Sequence, residues 1–374
     1  MVKITRISIL FLFPLLLWSV NTTDKNLSIE GYFKTGYQYT GYNNMPKNTD
    51  IAVGGGLSIE YLWFKNIEMG VTILTDQVVH KGALGGDIPF FDSQGEGYSL
   101  FAELYMNFNF NSSRLKIGRQ FIDTPFIHNN DIAMIPSTYE GITLDSTLSN
   151  VLSLNALWLY KTAGGIYTET PEKFTKMNED NGIYSIGLVY DDEENGVFTQ
   201  AWAYNISENK QYLYFEYGYS WSQQNIDYNM GVQMAHQYLE EEDASIIGME
   251  SSIGFHKNSY IFSLAFNQVL NGKVDGSLGN GPFFVNNGYL GLENVEEKGN
   301  MFNLGLTYST NNIKLNYIKS FLSYIDKHKS FADNIELNYN FVNDSEFTLT
   351  YTHIRDIVEE ENDDLVQIFY TYNF

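Results

Sequence analysis

The sequence predicts an all-β fold: a transmembrane antiparallel β-barrel of about 18 strands with an inward-folded third extracellular loop. Three observations point there. The last eleven residues carry an unbroken apolar stripe, Val366, Ile368, Tyr370, Tyr372 and Phe374, opposite the mixed and mostly polar Leu365, Gln367, Phe369, Thr371 and Asn373. A strand with one wholly apolar face is an aggregation hazard at a soluble sheet edge, but it is satisfied where it closes a barrel in lipid. The same period-2 alternation recurs along the chain. The connections between the alternating segments are, in turn, short and long, which is the asymmetry of an outer-membrane barrel.

Taken in order, the chain opens with Lys3 and Arg6 before an apolar run from Ile7 to Val20, broken by Ser8, Pro14 and Ser19. That run is too short and too broken to span a bilayer stably, so residues 1–22 read as a signal peptide, with cleavage somewhere in Trp18–Asp24. Residues 23–374 then form a single barrel domain. Eighteen alternating segments follow: 27–40, 51–61, 67–77, 98–110, 115–121, 138–146, 151–161, 183–190, 196–205, 210–222, 226–238, 246–255, 259–269, 301–309, 313–321, 331–341, 345–355 and 364–374. A sixteen-strand barrel is the alternative count. In 334–341, for example, Ile335, Leu337, Tyr339 and Phe341 oppose Glu336, Asn338 and Asn340. This is the apolar-out, polar-in dyad of a membrane barrel around water. Short polar turns such as Gln223–Asn225 and Asn311–Asn312 alternate with the long or acidic stretches 78–97, 122–137, 162–182, 270–300 and 356–363. Both termini therefore fall on the short-turn, periplasmic side.

Composition narrows the possibilities. With Lys3 and Arg6 removed, twenty bases face 45 acids, a net charge of −25. Such a polyanion does not bind nucleic acid, whose affinity rests on Lys and Arg neutralising phosphates. The chain has no Cys, which excludes disulfides, thiol catalysis and Cys-ligated metal. Twenty-eight Tyr and 26 Phe against seven Pro fit strands and aromatic girdles.

The most particular text is Leu115 to Phe126 followed by Asp131 to Ile142. A strand running into Thr124-Pro125 cannot extend its ladder, since Pro lacks the N–H. Phe126, Ile127, Ile132, Met134 and Ile135 make the next segment too apolar for an exposed loop. It is expected to fold inward and narrow the lumen. Here the chain resembles the OprD-type porins, channels for basic amino acids and carboxylates, whose G-R-Q, T-P, D, P, E-G signature is matched by Gly118, Arg119, Gln120, Thr124, Pro125, Asp131, Pro136, Glu140 and Gly141. The glycine-aromatic stretch from Gly279 to Phe284 and on to Asn287 is similar to a second element of that family.

The resemblance implies an 18-stranded monomeric or homotrimeric outer-membrane pore for small polar solutes, embedded among outer-membrane lipid and lipopolysaccharide. It implies a constriction set by the inward loop and a ladder of Arg and Lys for substrate carboxylates. The chain departs from that pattern at Ala133, where the family usually carries Arg. Its polar faces set Glu30, Glu60, Glu103, Glu216, Glu250, Glu336 and Glu346 against Lys34, Lys116 and Lys314, which favours cations. The expected constriction residues are Lys116, Arg119, Asp123, Asp131 and Glu140. Arg119 shares the face of Leu115 and Ile117, so either a bulge re-aims it or it sits at the outer rim. It reads equally as a constriction cation or as a structural ion pair.

No cofactor is expected. The acidic runs Glu240–Asp243 and Glu359–Asp364 could hold Ca²⁺, though such runs are more often solvated loop tips. The rival class is a barrel hydrolase or adhesin with no open pore. No H-E-x-x-H or G-x-S-x-G motif supports it, and its best isolated candidates are His353 near Asp356 and then His128.

Overall fold

The computed structural model describes residues 25–374 except 43–45, 84–89, 130–131, 167, 256–258, 279–280, 287–289, 295–297, 324–328, 343 and 357–361. Residues 1–22, expected to be a signal peptide, and the loop carboxylate Asp131 lie outside the described residues.

The described strands make one antiparallel sheet. They are β1 (Leu27–Tyr42), β2 (Asn48–Phe64), β3 (Ile67–His80), β4 (Ser99–Phe110), β5 (Ser113–Gln120), β6 (Thr138–Thr147), β7 (Leu152–Ala163), β8 (Thr175–Lys176), β9 (Ile183–Asp192), β10 (Val197–Ser207), β11 (Lys210–Gln223), β12 (Ile226–Tyr238), β13 (Ala244–Phe255), β14 (Tyr260–Asn271), β15 (Asn300–Ser309), β16 (Ile313–Ser323), β17 (Lys329–Asn340), β18 (Ser345–Asp356) and β19 (Asn362–Asn373). Eighteen form the barrel wall, as the periodicity indicates. β8, two residues long, is an extra piece that pairs only with the outer end of β7.

Closure is made by the segment that first suggested it. β19 pairs with β1 from Tyr32↔Asn373 to Tyr42↔Asp363, and β1 pairs with β2 on its other side. Gly31 and Phe374 exchange both backbone hydrogen bonds, at 3.0 and 2.8 Å, so the final residue completes the ladder and leaves no free edge there.

The two faces separate as lipid and water require. On β12, Met230, Val232 and Met234 are 56, 47 and 53 % exposed on the outer wall, while Gly231, Gln233 and Ala235 between them are buried inside. β9 repeats this with Tyr184, Ile186 and Leu188 outward. The periplasmic turns are tight: Gln224 and Asn225 take φ of 53° and 64°, the left-handed pair of a type I′ hairpin, whose twist matches that of the flanking strands.

Three long extracellular connections fold into the barrel. The third, between β5 and β6, crosses the lumen. At one end Phe126 is 2 % exposed and packs its ring on Tyr204, Tyr212, Tyr214 and Phe283, with centroids 5.0 to 6.1 Å apart. At the other end Met134 joins Ala52, Phe90 and Phe91 on the β2 side, Phe90 and Phe91 coming from the second connection. The connection from β14 to β15 is the third inward loop. Its Val274, Phe283, Val285, Leu290 and Leu292 cover inward-facing Ala235, Ile246, Val269, Met301, Leu322 and Ala332. Near the extracellular rim the inner face is therefore partly apolar and dry.

Candidate pore and its constriction

Beneath the inward loops lies a cavity of about 860 Å³. Its walls come from strands β5, β6, β7, β9, β10, β11 and β13. The third loop contributes Phe121–Pro125 and His128 to its lining, and the β14–β15 loop contributes Gly281–Phe284.

The cations of this lumen come mainly from β5. Its register with β4 and β6 runs unbroken, pairing Lys116 with Asn107 and Thr143, and Arg114 with Asn109 and Asp145. Arg114, Lys116, Gly118 and Gln120 thus share the inner face. Arg114 Nη2 lies 2.9 Å from Asp145 Oδ2. Lys116 Nζ lies 3.2 Å from Glu103 Oε1 and 3.7 Å from the centre of the Tyr105 ring, so a carboxylate and a π-face hold it together. Glu103 also accepts from Thr72 Oγ1 at 2.9 Å. Farther along the same wall, Tyr105 donates to Glu60 at 2.7 Å and Asn107 to Glu68 at 2.9 Å.

The β10–β13 side of the cavity is acidic and aromatic. Glu216 accepts from Gln200 Nε2 at 2.8 Å and from the Tyr214 hydroxyl at 2.7 Å, and Trp202 Nε1 donates to Gln200 at 2.8 Å. Glu250 lies two strands farther on, lining the same cavity. No charged partner pairs with Glu216 or Glu250 among the described residues, so these carboxylates add net negative potential.

The inward loop is pinned at several points. Asp123 and His128 form a backbone bridge, and Thr124 N donates to Ile127 O at 2.8 Å, closing a tight turn around Phe126. Tyr139 donates to His128 O at 3.0 Å, Lys34 Nζ to Ala133 O at 2.9 Å, and Gln367 Nε2 to Ile132 O at 3.5 Å. Burial holds the His128 imidazole below its ordinary pKa of 6.5, with the Asp123 carboxylate opposing the shift. Asp123 itself is exposed to the cavity.

The expected constriction residues are divided between two faces. Lys116 and Asp123 line the cavity. Arg119 and Glu140 do not. Arg119 pairs with Leu104, which is 51 % exposed on the outer wall, and with Glu140, so alternation holds and no bulge turns it inward. A side chain at Gly118, whose φ is +126°, would collide with the Leu104 carbonyl, so the close strand approach there requires glycine. Arg119 is thus the rim ion pair, bonded to Glu140 at 3.1 Å. Arg114, Asp145, Gln200 and Trp202 were not anticipated as lining residues. Extending the β5 alternation two residues toward the turn would have found Arg114.

Of the hydrolase candidates, His353 faces outward. Its partner is Asp364, at 2.9 Å, and not Asp356. Among the described residues no group of three or more His, Asp or Glu is placed to hold a metal ion. Glu359–Glu361 of the second acidic run lie outside the described residues, and Asp243 of the first caps Leu239 N at 3.0 Å.

Residues 88–258, which include the inward loop and every wall residue named around the cavity from Glu103 to Glu250, match the family model of the outer membrane porin, OprD family. The matched stretch is that of an OprD-type porin. Its fold is that of solved porins of low sequence identity. The structure of OccAB4 from Acinetobacter baumannii superposes with a TM-score of 0.79 at 14% identity, covering 94% of this chain and 99% of that one. OccK9 (OpdG) from Pseudomonas aeruginosa gives 0.79 at 11%, covering 94% and 98%. A BenF-like porin from Pseudomonas fluorescens Pf-5 gives 0.78 at 11%, covering 94% and 99%. No curated protein matches the sequence. The porin therefore resides in the bacterial outer membrane, with its strands crossing lipid and its loops folded into the lumen.

Proposed function

We propose that this porin is a passive diffusion channel for small hydrophilic solutes or ions, constricted by the third loop and modestly selective for cations. The observation that carries the reading is the charge on the inner face. Glu30, Glu60, Glu68, Glu103, Glu216 and Glu250 point inward, with Asp145, Glu336 and Glu346, against Lys34, Arg114, Lys116 and Lys314. Carboxylate-rich lumens favour cations. Charges at a wide mouth are screened beyond a Debye length of about 8 Å at physiological salt, whereas those beside a narrow loop are screened less. Lys116, Asp123 and Asp131 are the charges assigned to that narrow zone; Arg119 and Glu140 are left out because they face outward.

The test is a planar-bilayer recording with reversal potentials in a salt gradient. Stepwise, long-lived currents with a cation-side reversal potential are expected, and deletion of Phe126–Ile135 should raise conductance severalfold. Silent bilayers with folded protein would reject the channel in favour of a hydrolase or adhesin. An anion-side reversal would restore the carboxylate ladder.

A further inference from the structure

The extra strand β8 does no work in the barrel wall, yet it sets up an unfavourable pairing. Its two residues lie in register with β7 as Lys161↔Lys176 and Thr162↔Thr175. Two lysines directly opposite on neighbouring strands repel one another. Both are drawn to the same ring, with Nζ of Lys161 at 5.2 Å and of Lys176 at 5.9 Å from the centre of Tyr160. Arg119 stands on the same outward surface, its guanidinium 4.1 Å from the centre of the Phe174 ring.

These cations are pre-positioned but not saturated. Glu140 is shared, accepting from Arg119 Nε at 3.1 Å through one oxygen and from Lys161 Nζ at 3.0 Å through the other. Arg119 has one further, long contact, to Phe101 O at 3.5 Å, which leaves most of its five donors unused. Lys176 pairs with Asp180, and Lys173 with Glu172 at 3.5 Å. The group keeps one positive charge in surplus, on a chain whose formal net charge is −23. Beside it, Trp158 stacks with Tyr184 at 6.5 Å, and Tyr184 is 49 % exposed on the lipid side. An aromatic pair of this kind marks the level where acyl chains give way to headgroups.

We propose that Arg119, Lys161 and Lys176 form an outward-facing site for a phosphate of the phosphorylated glycolipid in the outer leaflet. The fork of Arg119, seated over the Phe174 ring, offers N–H donors to phosphate oxygens, and the ammoniums of Lys161 and Lys176 supply point charges. A phosphate seated there relieves the lysine repulsion, while its acyl chains lie along the exposed Ile117 and Leu104 below. The pore plays no part in this site, so its test is independent of conduction.

The purified full-length barrel in detergent is titrated with bisphosphorylated lipid A and with its dephosphorylated form, reading retained lipid by native mass spectrometry. Wild type should retain the phosphorylated form selectively. The Arg119→Gln/Lys161→Gln double variant should weaken that binding by about tenfold, as expected on losing charge-assisted bonds to phosphate. Lys176→Gln, on the exposed extra strand β8, should weaken it less without touching the barrel wall, and all variants should keep wild-type conductance. Equal retention of the dephosphorylated form, or unchanged affinity in both variants, overturns the proposal. Inorganic phosphate stabilising the barrel as strongly as lipid A would assign the patch to the free anion. Loss of an oligomer, with lipid binding unchanged, would make it a subunit contact.

Discussion

Lys34 Nζ donates to the backbone carbonyl of Ala133 at 2.9 Å, joining the first strand to the inward loop across 99 residues of sequence. Where the family usually carries a basic residue on the loop, this porin has alanine, and a wall lysine reaches the loop backbone instead. The same ammonium lies 4.4 Å from the centre of the Phe369 ring on the last strand, so one side chain links both sides of the barrel seam to the constriction.

Lys34→Met keeps the apolar stem and removes the donor and the charge. The Met134 end of the loop should loosen while Phe126 stays seated. Open-channel current noise should rise, and cation preference should increase, with the barrel still resistant to detergent on unheated gels. Noise and selectivity identical to wild type would mean that Phe90, Phe91 and Ala52 hold the loop without it.

Charge substitutions should separate by face. Asp131→Asn and Glu216→Gln should each lower cation selectivity, because both remove negative charge assigned to the lumen. Arg114→Gln should raise it. Arg119→Ala, facing lipid, should leave the reversal potential where it was. A shift on Arg119→Ala as large as that on Arg114→Gln would contradict the register of β5.

Acidification should act through His128. Burial depresses its pKa below 6.5, so the ring is neutral in the folded loop at pH 7. The unfolded chain takes up the proton more readily, so the stability tied to neutral His128 is present above about pH 6.5 and is lost as pH falls. Protonation also adds a positive charge beside Asp123. Cation selectivity should hold between pH 8 and 6.5 and decline below, as checked by reversal potentials against pH (to about 5). A His128→Gln variant should show no such decline.

Glu293, in the 3-10 turn Leu292–Asn294 of the β14–β15 loop, is pushed up to about 7 by burial, and its Oε2 has no hydrogen-bond partner among the described residues. Its protonated form suits the fold. The associated stability is complete below the unfolded carboxyl value near 4.5 and is lost as pH rises through 7. Glu293→Gln should therefore raise the thermal midpoint at pH 8 by several degrees and change little at pH 5. Equal effects at both pH values would mean the carboxyl is solvated.

Much of the barrel was legible because lipid and water act on successive residues of one strand. Met230, Val232 and Met234 must alternate with Gly231, Gln233 and Ala235 whatever the neighbouring strands do. Period 2 therefore revealed eighteen wall strands, the inward loop was marked by its apolar residues after Thr124-Pro125, and Lys116 was placed inside. β8 escaped notice because two residues carry no period. The β14–β15 loop was read only as a glycine-aromatic element, since Ala235, Ile246 and Leu322 look like breaks in a polar face until something covers them.

What the sequence by itself determined was which residues alternate and which loops could not remain in water, since both follow from local solvation. The tertiary structure decided everything that depends on register around the closed wall. Arg119 belongs to the same loop-flanking signature as Asp131, yet the unshifted pairing of β5 with β4 and β6 sends it outward to Glu140 and Lys161. The partners of Lys34 likewise arise only when the first strand, the last strand and the inward loop are brought side by side, and the opposition of Lys161 to Lys176 needs the register of β8 on β7, because a ladder fixes each residue's neighbours by geometry that no single segment encodes.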